Sequence, residues 1–442
     1  MSLVLKRPPG LDLAPEHSAE IADLSHDGRG VARIDGKVWF VADALPGERV
    51  RFLRTRGGRD ADEAQALVIE RPSPERVEPA CAHFGVCGGC ALQHMATPAQ
   101  VQFKQKQLIE ALERIGRVGA DTIAEAVTGP AWGYRRRARL SVKFVAARQQ
   151  ALVGFRERHS ALIADIERCE VLDARVGNLI RPLSQLVSQL SLRDRIPQIE
   201  VAATDRVALV FRVLDPLGGE DRLKLEAFGR RHAIDIYLQP GGLDSLRPLG
   251  RVDPLSYTPD GSEARLRIEP TDFIQVNATV AERMVRQSLE WLAPAPGDSV
   301  LELFCGLGNF SIPLAQAGAR VTALEGDAGL LRRAKDNAHR LGLKIRFAKT
   351  DLFRPRPNAP WLEDDVDLCL LDPPRSGARE VLPLVAAKAP RRIVYVSCHP
   401  ATLARDAAIL VHEHGYRLER TGILDMFPHT AHVESMALFV RA

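Results

Sequence analysis

From residue 271 to the C-terminus the chain alternates short apolar runs with helix-length segments, and few folds accommodate that rhythm. Residues 299–304, 320–325, 344–347, 366–371 and 391–397 read as strands. Strands separated by helices pair in parallel, so this region is predicted to be a doubly wound α/β sheet. Two further strands, near 417–424 and 435–440, are read as joined by a short turn and as finishing the sheet. Open sheets of this kind bind ligands beyond the carboxyl ends of their strands. Three of those ends carry chemistry: the glycine turn of Phe304-Cys305-Gly306-Leu307-Gly308, the acid of Asp372-Pro373-Pro374-Arg375, and the thiol of Ser397-Cys398-His399-Pro400.

A glycine turn leading into a helix lets backbone N–H groups approach a ligand closely. Ser311 stands where a dinucleotide fingerprint would want a third glycine, so the match to NAD binding is imperfect. Glu325 ends the next strand, 19 residues beyond Gly306, placed to accept hydrogen bonds from two ribose hydroxyls. Asp351 ends the strand after that and is placed to meet an adenine amino group. A glycine loop with acids on both following strands suits S-adenosylmethionine better than NAD. Cys398, at a strand end before a turn proline, reads as a covalent nucleophile, the alternative being a packed thiol. Cys305 and Cys369 read as core residues.

The upstream half has other signatures. Cys81, Cys87 and Cys90 are clustered among Gly85, Gly88 and Gly89, and Cys169 is the best remaining fourth thiol. Four thiolates hold zinc or an iron–sulfur cluster, and spacing alone does not decide between them. An odd count of seven cysteines argues against a disulfide framework. Residues 14–72 read as short strands with glycine turns, including Asp35-Gly36 as a hairpin turn, and suggest a small barrel of oligonucleotide-binding type. Arg49, Arg51, Arg54, Arg56 and Arg59 suit that role. Between residues 131 and 160 eight Lys or Arg stand against one acid, interleaved with Trp132, Tyr134, Phe144 and Phe155. That run reads either as a surface for phosphates and stacked bases or as a solvated face with core aromatics. A helix is expected over about 98–117, and mixed strands and helices over 132–267. Net charge is +4 in 442 residues, too mild to prove a nucleic-acid partner. No run of about 18 apolar residues marks a membrane span, and the N-terminus lacks the features of a signal peptide, so a cytoplasmic protein is expected.

These motifs together resemble the RNA uracil-C5 methyltransferases, and within them the iron–sulfur enzymes of large-subunit rRNA. The resemblance covers nearly the whole chain. The barrel is similar to that family's TRAM domain, and Cys81, Cys87, Cys90 and Cys169 match its four [4Fe–4S] ligands. Phe273-Ile274-Gln275-Val276-Asn277 matches the motif opening its catalytic domain, Glu302–Phe310 its cofactor loop, Asp372–Arg375 its substrate loop, Ser397–Pro400 its nucleophile motif and His432-Val433-Glu434 its general-base motif. The resemblance implies a multidomain α/β protein: a TRAM-like, OB-like barrel over 14–72, a central α+β domain with the [4Fe–4S] cluster over 75–270, and a class I S-adenosylmethionine-dependent methyltransferase domain over 271–442. It implies that the helix near 98–117 packs on the catalytic domain. Gln275, Phe304, Gly306, Gly308, Asn309, Glu325, Asp351 and Asp372 would line the cofactor and base pocket, with Phe273 and Arg375 meeting substrate. The implied reaction is 5-methyluridine formation in 23S rRNA at a U1939-type site, by a monomer.

The chemistry explains the residue types. Uracil C5 is a poor nucleophile, and adding the Cys398 thiolate to C6 makes an enolate whose C5 attacks the methyl donor. Free cysteine has a pKa of about 8.5, so Cys398 is expected to receive local help in ionising. Glu434 then removes the C5 proton, while Asp372 or Gln275 orients the ring and stabilises the enolate. The target uridine must be unpaired or flipped, with Phe273 available for stacking. Rival readings are a tRNA uracil-C5 methyltransferase, which would lack the barrel and cysteine cluster, an amino-group methyltransferase, which usually has an aromatic where Arg375 stands, and a non-catalytic iron–sulfur RNA-binding protein.

Overall fold

A computed structural model describes residues 3–5, 16–158 and 160–441. The first two residues of the expected barrel, 14 and 15, lie outside them, as does most of the segment read for a signal peptide. The chain divides into two compact units. One comprises Met1–Lys104, Arg156–Ala164 and Phe427–His432; the other comprises Gln105–Phe155, Asp165–Met426 and Val433–Ala442.

The first unit is built on a seven-stranded sheet. Its main path runs Glu16–Glu20, Arg49–Arg56, Ala61–Arg71, Lys37–Ala42, Gly30–Ile34 and Asp23–Leu24, with Leu3–Val4 added beside Ala61–Arg71. Asp35 (φ 50°) and Gly36 (φ 80°) both turn left-handed, as the two-residue hairpin requires. Trp39, Val41, Val50, Phe52, Ala66 and Ile69 fill its core. The long strand Ala61–Arg71 was not foreseen, because its Asp62, Glu63 and Glu70 mask the apolar alternation. Several of the barrel arginines are ion-paired: Arg49 and Arg51 with Glu70, and Arg54 with Asp62.

In the second unit a six-stranded sheet, ordered Gln150–Gly154, Arg137–Val145, Gln198–Ala203, Val207–Arg212, Ile234–Gln239 and Arg247–Pro248, forms the central part. The basic run lies mostly here. Arg137 and Arg139 pair with Glu200, Arg148 pairs with Asp165, and Arg136 is buried over the Tyr257 ring at 4.9 Å. Arg136 and Arg137 are thus withdrawn into the protein and read as structural, whereas Arg139 and Arg148 remain exposed.

The catalytic sheet contains β1 (Ser299–Leu303), β2 (Arg320–Glu325), β3 (Ile345–Lys349), β4 (Leu368–Leu371), β5 (Arg392–Ser397), β6 (Tyr416–Leu424) and β7 (Glu434–Arg441). Their order is β3-β2-β1-β4-β5-β7-β6, followed at the edge by Thr122–Ile123. Strands β1 to β5 run parallel, and β7 is antiparallel to both neighbours. Strand β4 is apolar and buried throughout, as a strand covered on both faces must be. The expected short turn between the last two strands is instead the connection 425–433, most of which belongs to the first unit.

The expected helix is Thr97–Ala111, continued by a wider turn over Leu112–Gly116. Within the second unit that turn packs on the helix α1 (Pro400–Ala408) so closely that a Cβ on Gly116 would lie 2.6 Å from the Ala404 carbonyl oxygen. With Thr122–Ile123 extending the sheet, the segment before the central sheet is part of the catalytic layer.

Candidate active site

Chain order reverses between β1 and β4, and ligands bind such sheets at this point. Leu303 on β1 pairs with Leu371 on β4, and Leu371 pairs with Tyr395 on β5. Phe304, Asp372 and Cys398 therefore leave the sheet at one end. The antiparallel register of β5 and β7 sets Ser397 opposite Ser435, so one step further Cys398 faces Glu434. Sequence distance hides this convergence; strand register produces it.

The electrostatics of the cluster are unusual. Burial pushes the Cys398 thiol up to about 11; Glu434 and Asp372 push it the same way and Arg375 opposes them. Burial also raises Asp372 to about 7. Glu434 is raised well above the ordinary carboxylate range, by burial first and then by Asp372, again against Arg375. The help that Arg375 gives toward a thiolate is thus outweighed by burial and by the two carboxyls, and burial moves all three acidic groups toward their neutral forms. Two carboxyls and a thiol sharing one poorly solvated corner cannot all ionise.

The cofactor loop is wound through three left-handed residues, Phe304 (φ 63°), Gly306 (φ 54°) and Gly308 (φ 89°). A phenylalanine there is strained, as is common where a backbone is shaped around a ligand. Glu325 accepts from the Gly306 N–H at 3.0 Å and the Asp327 N–H at 2.8 Å. Each oxygen keeps lone pairs for a further donor. Asp351 is exposed and accepts from the Phe353 N–H, and the Phe353 ring lies 5.7 Å from that of Phe304. Asn309 accepts from the Tyr257 hydroxyl at 3.2 Å, Tyr257 underlies Arg136, and Arg136 donates to the Gln275 carbonyl at 2.7 Å. That relay connects the segment of Phe273 and Gln275 to the glycine loop. Phe273 is 69% exposed and Arg375 is exposed.

Sequence reasoning gave no role to Glu302. It is fully buried on β1, accepts from the Ser311 hydroxyl with one oxygen, and has no partner for the other. Burial raises it to about 8, with Asp372 and Glu325 adding to the effect. A charged residue inside an otherwise apolar strand was the available signal. Tyr257 was also missed, and Arg136 was read only as one member of the basic run.

In the first unit Cys81, Cys87 and Cys90 occupy one half-buried loop, turned at Gly85 (φ 88°). The Cys81 carbonyl accepts from the Phe84 N–H and the His83 carbonyl from the Cys87 N–H. Arg158 donates to the Cys90 carbonyl at 2.8 Å, pairs with Asp43 and covers the Phe84 ring. Soft thiol donors at this spacing suit zinc or iron–sulfur chemistry. Among the described residues, no three or more His, Cys, Asp or Glu side chains form a group that could hold a metal ion. Cys169, also half-buried, belongs to the second unit. No helix among the described residues is long and apolar enough to cross a membrane.

The sheet order and strand-end site define a class I S-adenosylmethionine-dependent methyltransferase fold. Its likeness to the Pyrococcus abyssi tRNA (uracil-54, C5)-methyltransferase in complex with S-adenosyl-L-homocysteine has a TM-score of 0.74 over 96% of this chain and 99% of that one, at 24% identity. The profile of the family described as tRNA (Uracil-5-)-methyltransferase matches residues 256–340 and 362–442, and that of the TRAM domain matches residues 17–51. The chain is 50% identical over 435 residues to the 23S rRNA (uracil(1939)-C(5))-methyltransferase RlmD of Alkalilimnicola ehrlichii, covering 97% of each. It is 48% identical over 442 residues to the enzyme of the same name from Acidithiobacillus ferrooxidans, covering 99% of this chain and all of that one. The chain belongs to the RlmD family of RNA uracil-C5 methyltransferases.

Proposed function

We propose that this protein methylates C5 of a uridine in 23S rRNA, at a U1939-type site, through a covalent cysteine adduct. The observation that carries the mechanism is the strand register that sets Cys398 opposite Glu434 beside Asp372. S-adenosylmethionine supplies an electrophilic methyl group; Gln275, Phe304, Gly306, Gly308, Asn309, Glu325 and Asp351 would hold it. The Cys398 sulfur adds to C6 of uracil, and C5, now enolate-like, takes the methyl group. Glu434 takes the C5 proton, the enolate re-forms the C5–C6 double bond, and the thiolate leaves. Each step balances without a redox partner. Asp372 hydrogen-bonds the ring's O4 and N3 edge, Arg375 offsets negative charge, and Phe273 stacks on an unpaired base.

Cys398 starts as a neutral thiol, so as its sulfur bonds to C6 the thiol proton passes to a carboxylate, and Asp372, raised to about 7 and so partly ionised near neutral pH, is the acceptor at hand. The raised carboxyls suit that exchange: a carboxylate of high pKa is a stronger base once ionised. The barrel is proposed to bind RNA, in a three-part domain division of 14–72, 75–270 and 271–442. Cys81, Cys87 and Cys90 are proposed to ligate a [4Fe–4S] cluster, with Cys169 entering as fourth thiolate on its sequence alone. A monomer working in the cytoplasm completes the proposal.

The test uses 5-fluorouridine-substituted rRNA and S-adenosylmethionine. Fluorine cannot leave C5 as a proton, so wild type should form a covalent band that Cys398→Ala lacks. An adduct with tRNA and none with rRNA would move the substrate to tRNA, and no adduct with either would overturn the covalent mechanism. Iron and acid-labile sulfide assays on anaerobically purified protein decide between an iron–sulfur cluster and zinc.

A further inference from the structure

Asp406 on α1 is fully buried, yet it is not part of the cluster described above. Its carboxylate is the centre of a compact set of contacts. One oxygen accepts from the Ala378 N–H at 2.8 Å and the Tyr395 hydroxyl at 2.6 Å; the other accepts from Arg405 Nε at 2.8 Å. Arg405 in turn donates to the Ser376 carbonyl at 2.8 Å. Between these two anchors Gly377 takes φ 80°, and a Cβ there would lie 2.5 Å from both Arg405 Nη2 and Asp406 Oδ2.

The places these contacts reach matter more than their number. Ser376 and Ala378 end the loop that carries Asp372 and Arg375. Tyr395 is buried on β5, three residues before Cys398. Asp406 itself is on the helix that starts at Pro400, two residues after Cys398. One carboxylate therefore fastens the loop bearing the acid and the cation to both chain segments flanking the thiol. A buried carboxylate is retained at a cost in desolvation unless its lone pairs are matched, and here three donors converge on it.

We propose that Asp406 is a positioning residue for methyl transfer: with Tyr395 and Arg405 it fixes the reach between the Cys398 sulfur and the uracil ring held by the Asp372–Arg375 loop. Asp406 touches neither substrate nor cofactor in this account. It acts on the addition step, whose rate depends on near-attack geometry, where a misplacement of about 1 Å costs on the order of a hundredfold. The inference rests on the covalent reading above.

The experiment compares full-length wild type, Tyr395→Phe and Asp406→Asn. Tyr395→Phe removes one hydroxyl and preserves packing, so it decides the matter if Asp406→Asn does not fold. Three quantities are read: the initial rate of adduct formation with 5-fluorouridine rRNA, the S-adenosylmethionine Kd, and kcat and KM for unsubstituted rRNA. Adduct rate and kcat are expected to fall together by about tenfold to a hundredfold, with KM and Kd within about twofold of wild type. A purely structural role would lower active fraction and leave the rate per folded, cofactor-binding molecule unchanged; that result overturns the proposal. A rise confined to KM overturns it as well. Absence of an adduct in wild type would instead remove the covalent reading on which the inference stands.

Discussion

The sharpest test of the electrostatic picture is Glu302→Gln, because Glu302 is fully buried and its perturbation has one dominant cause, burial. Its carboxyl is raised from 4.5 to about 8 in the folded protein. A group whose folded pKa is raised binds more protons folded than unfolded, so its contribution is fully present below the unfolded pKa and is lost as pH rises through the folded one. Between pH 5 and pH 8 the unfolded carboxyl becomes fully ionised while the folded one reaches half ionisation. At 1.36 kcal/mol per pH unit, wild type should lose about 3.5 kcal/mol over that window from this residue alone. Glutamine keeps an acceptor for the Ser311 hydroxyl and cannot ionise. The assay is urea unfolding of ligand-free enzyme, wild type and variant, followed across pH 5 to 8.5. The wild-type curve should fall relative to the variant by about 2–4 kcal/mol, with the variant more stable at the alkaline end. Parallel curves would show that Glu302 is solvated or already ionised, and would refute the reasoning from burial.

The other predictions concern turnover and one anchor. Glu434→Gln should lower methyl transfer by a factor on the order of 10² to 10⁴ and let the methylated, cysteine-bound intermediate accumulate on ordinary uridine RNA; denaturing gels would show it, and a release rate equal to wild type would remove Glu434 from the base role. The single-turnover rate should climb with pH from 6 to 9, because Asp372 ionises near 7 and the Cys398 thiol only near 11; rapid-quench measurements showing a flat profile would contradict a neutral resting thiol. Gln100→Ala should destabilise the first unit by about 2–4 kcal/mol, because Gln100 donates to the Leu92 and Met95 carbonyls and accepts from the His429 N–H; a melting temperature unchanged by differential scanning calorimetry would refute it.

Much of the catalytic layer was legible because its signals are local. Five apolar runs with helical spacers specify parallel strands, and β1, β2 and β5 begin or end within about a residue of expectation. The hairpin at Asp35-Gly36 was legible for the same reason: two left-handed positions demand those residue types. What escaped was non-local. Nothing in Thr122–Ile123 announces that it pairs with β6 three hundred residues later. The segment 425–433 was read as a short turn because its sequence carries no sign that Phe427–His432 belongs to another unit. The basic run was only half legible because charge counts ignore partners, and Glu200, which pairs with Arg137 and Arg139, lies forty residues beyond its end.

The site divides along the same line. Which atoms could react was readable from strand ends; which protons they carry was not. A thiol opposite a glutamate looks like a nucleophile with its base, and the expectation of an activated thiolate followed from the chemistry it has to perform. Burial works against that expectation, because removing water penalises every ionised form at once and Arg375, the cation that opposes the shift, is exposed. The consequence is functional. A thiol raised in this way should resist oxidation and alkylation, since the thiolate is the reactive form. Under the proposed mechanism, ionisation is tied to the arrival of uracil, whose O4 and N3 edge gives the developing charge somewhere to go. In the proposed mechanism the two carboxyls that raise the thiol, Glu434 and Asp372, are also the groups that take up protons during the reaction, so suppression of the thiolate and catalysis would come from one arrangement of Cys398, Asp372 and Glu434.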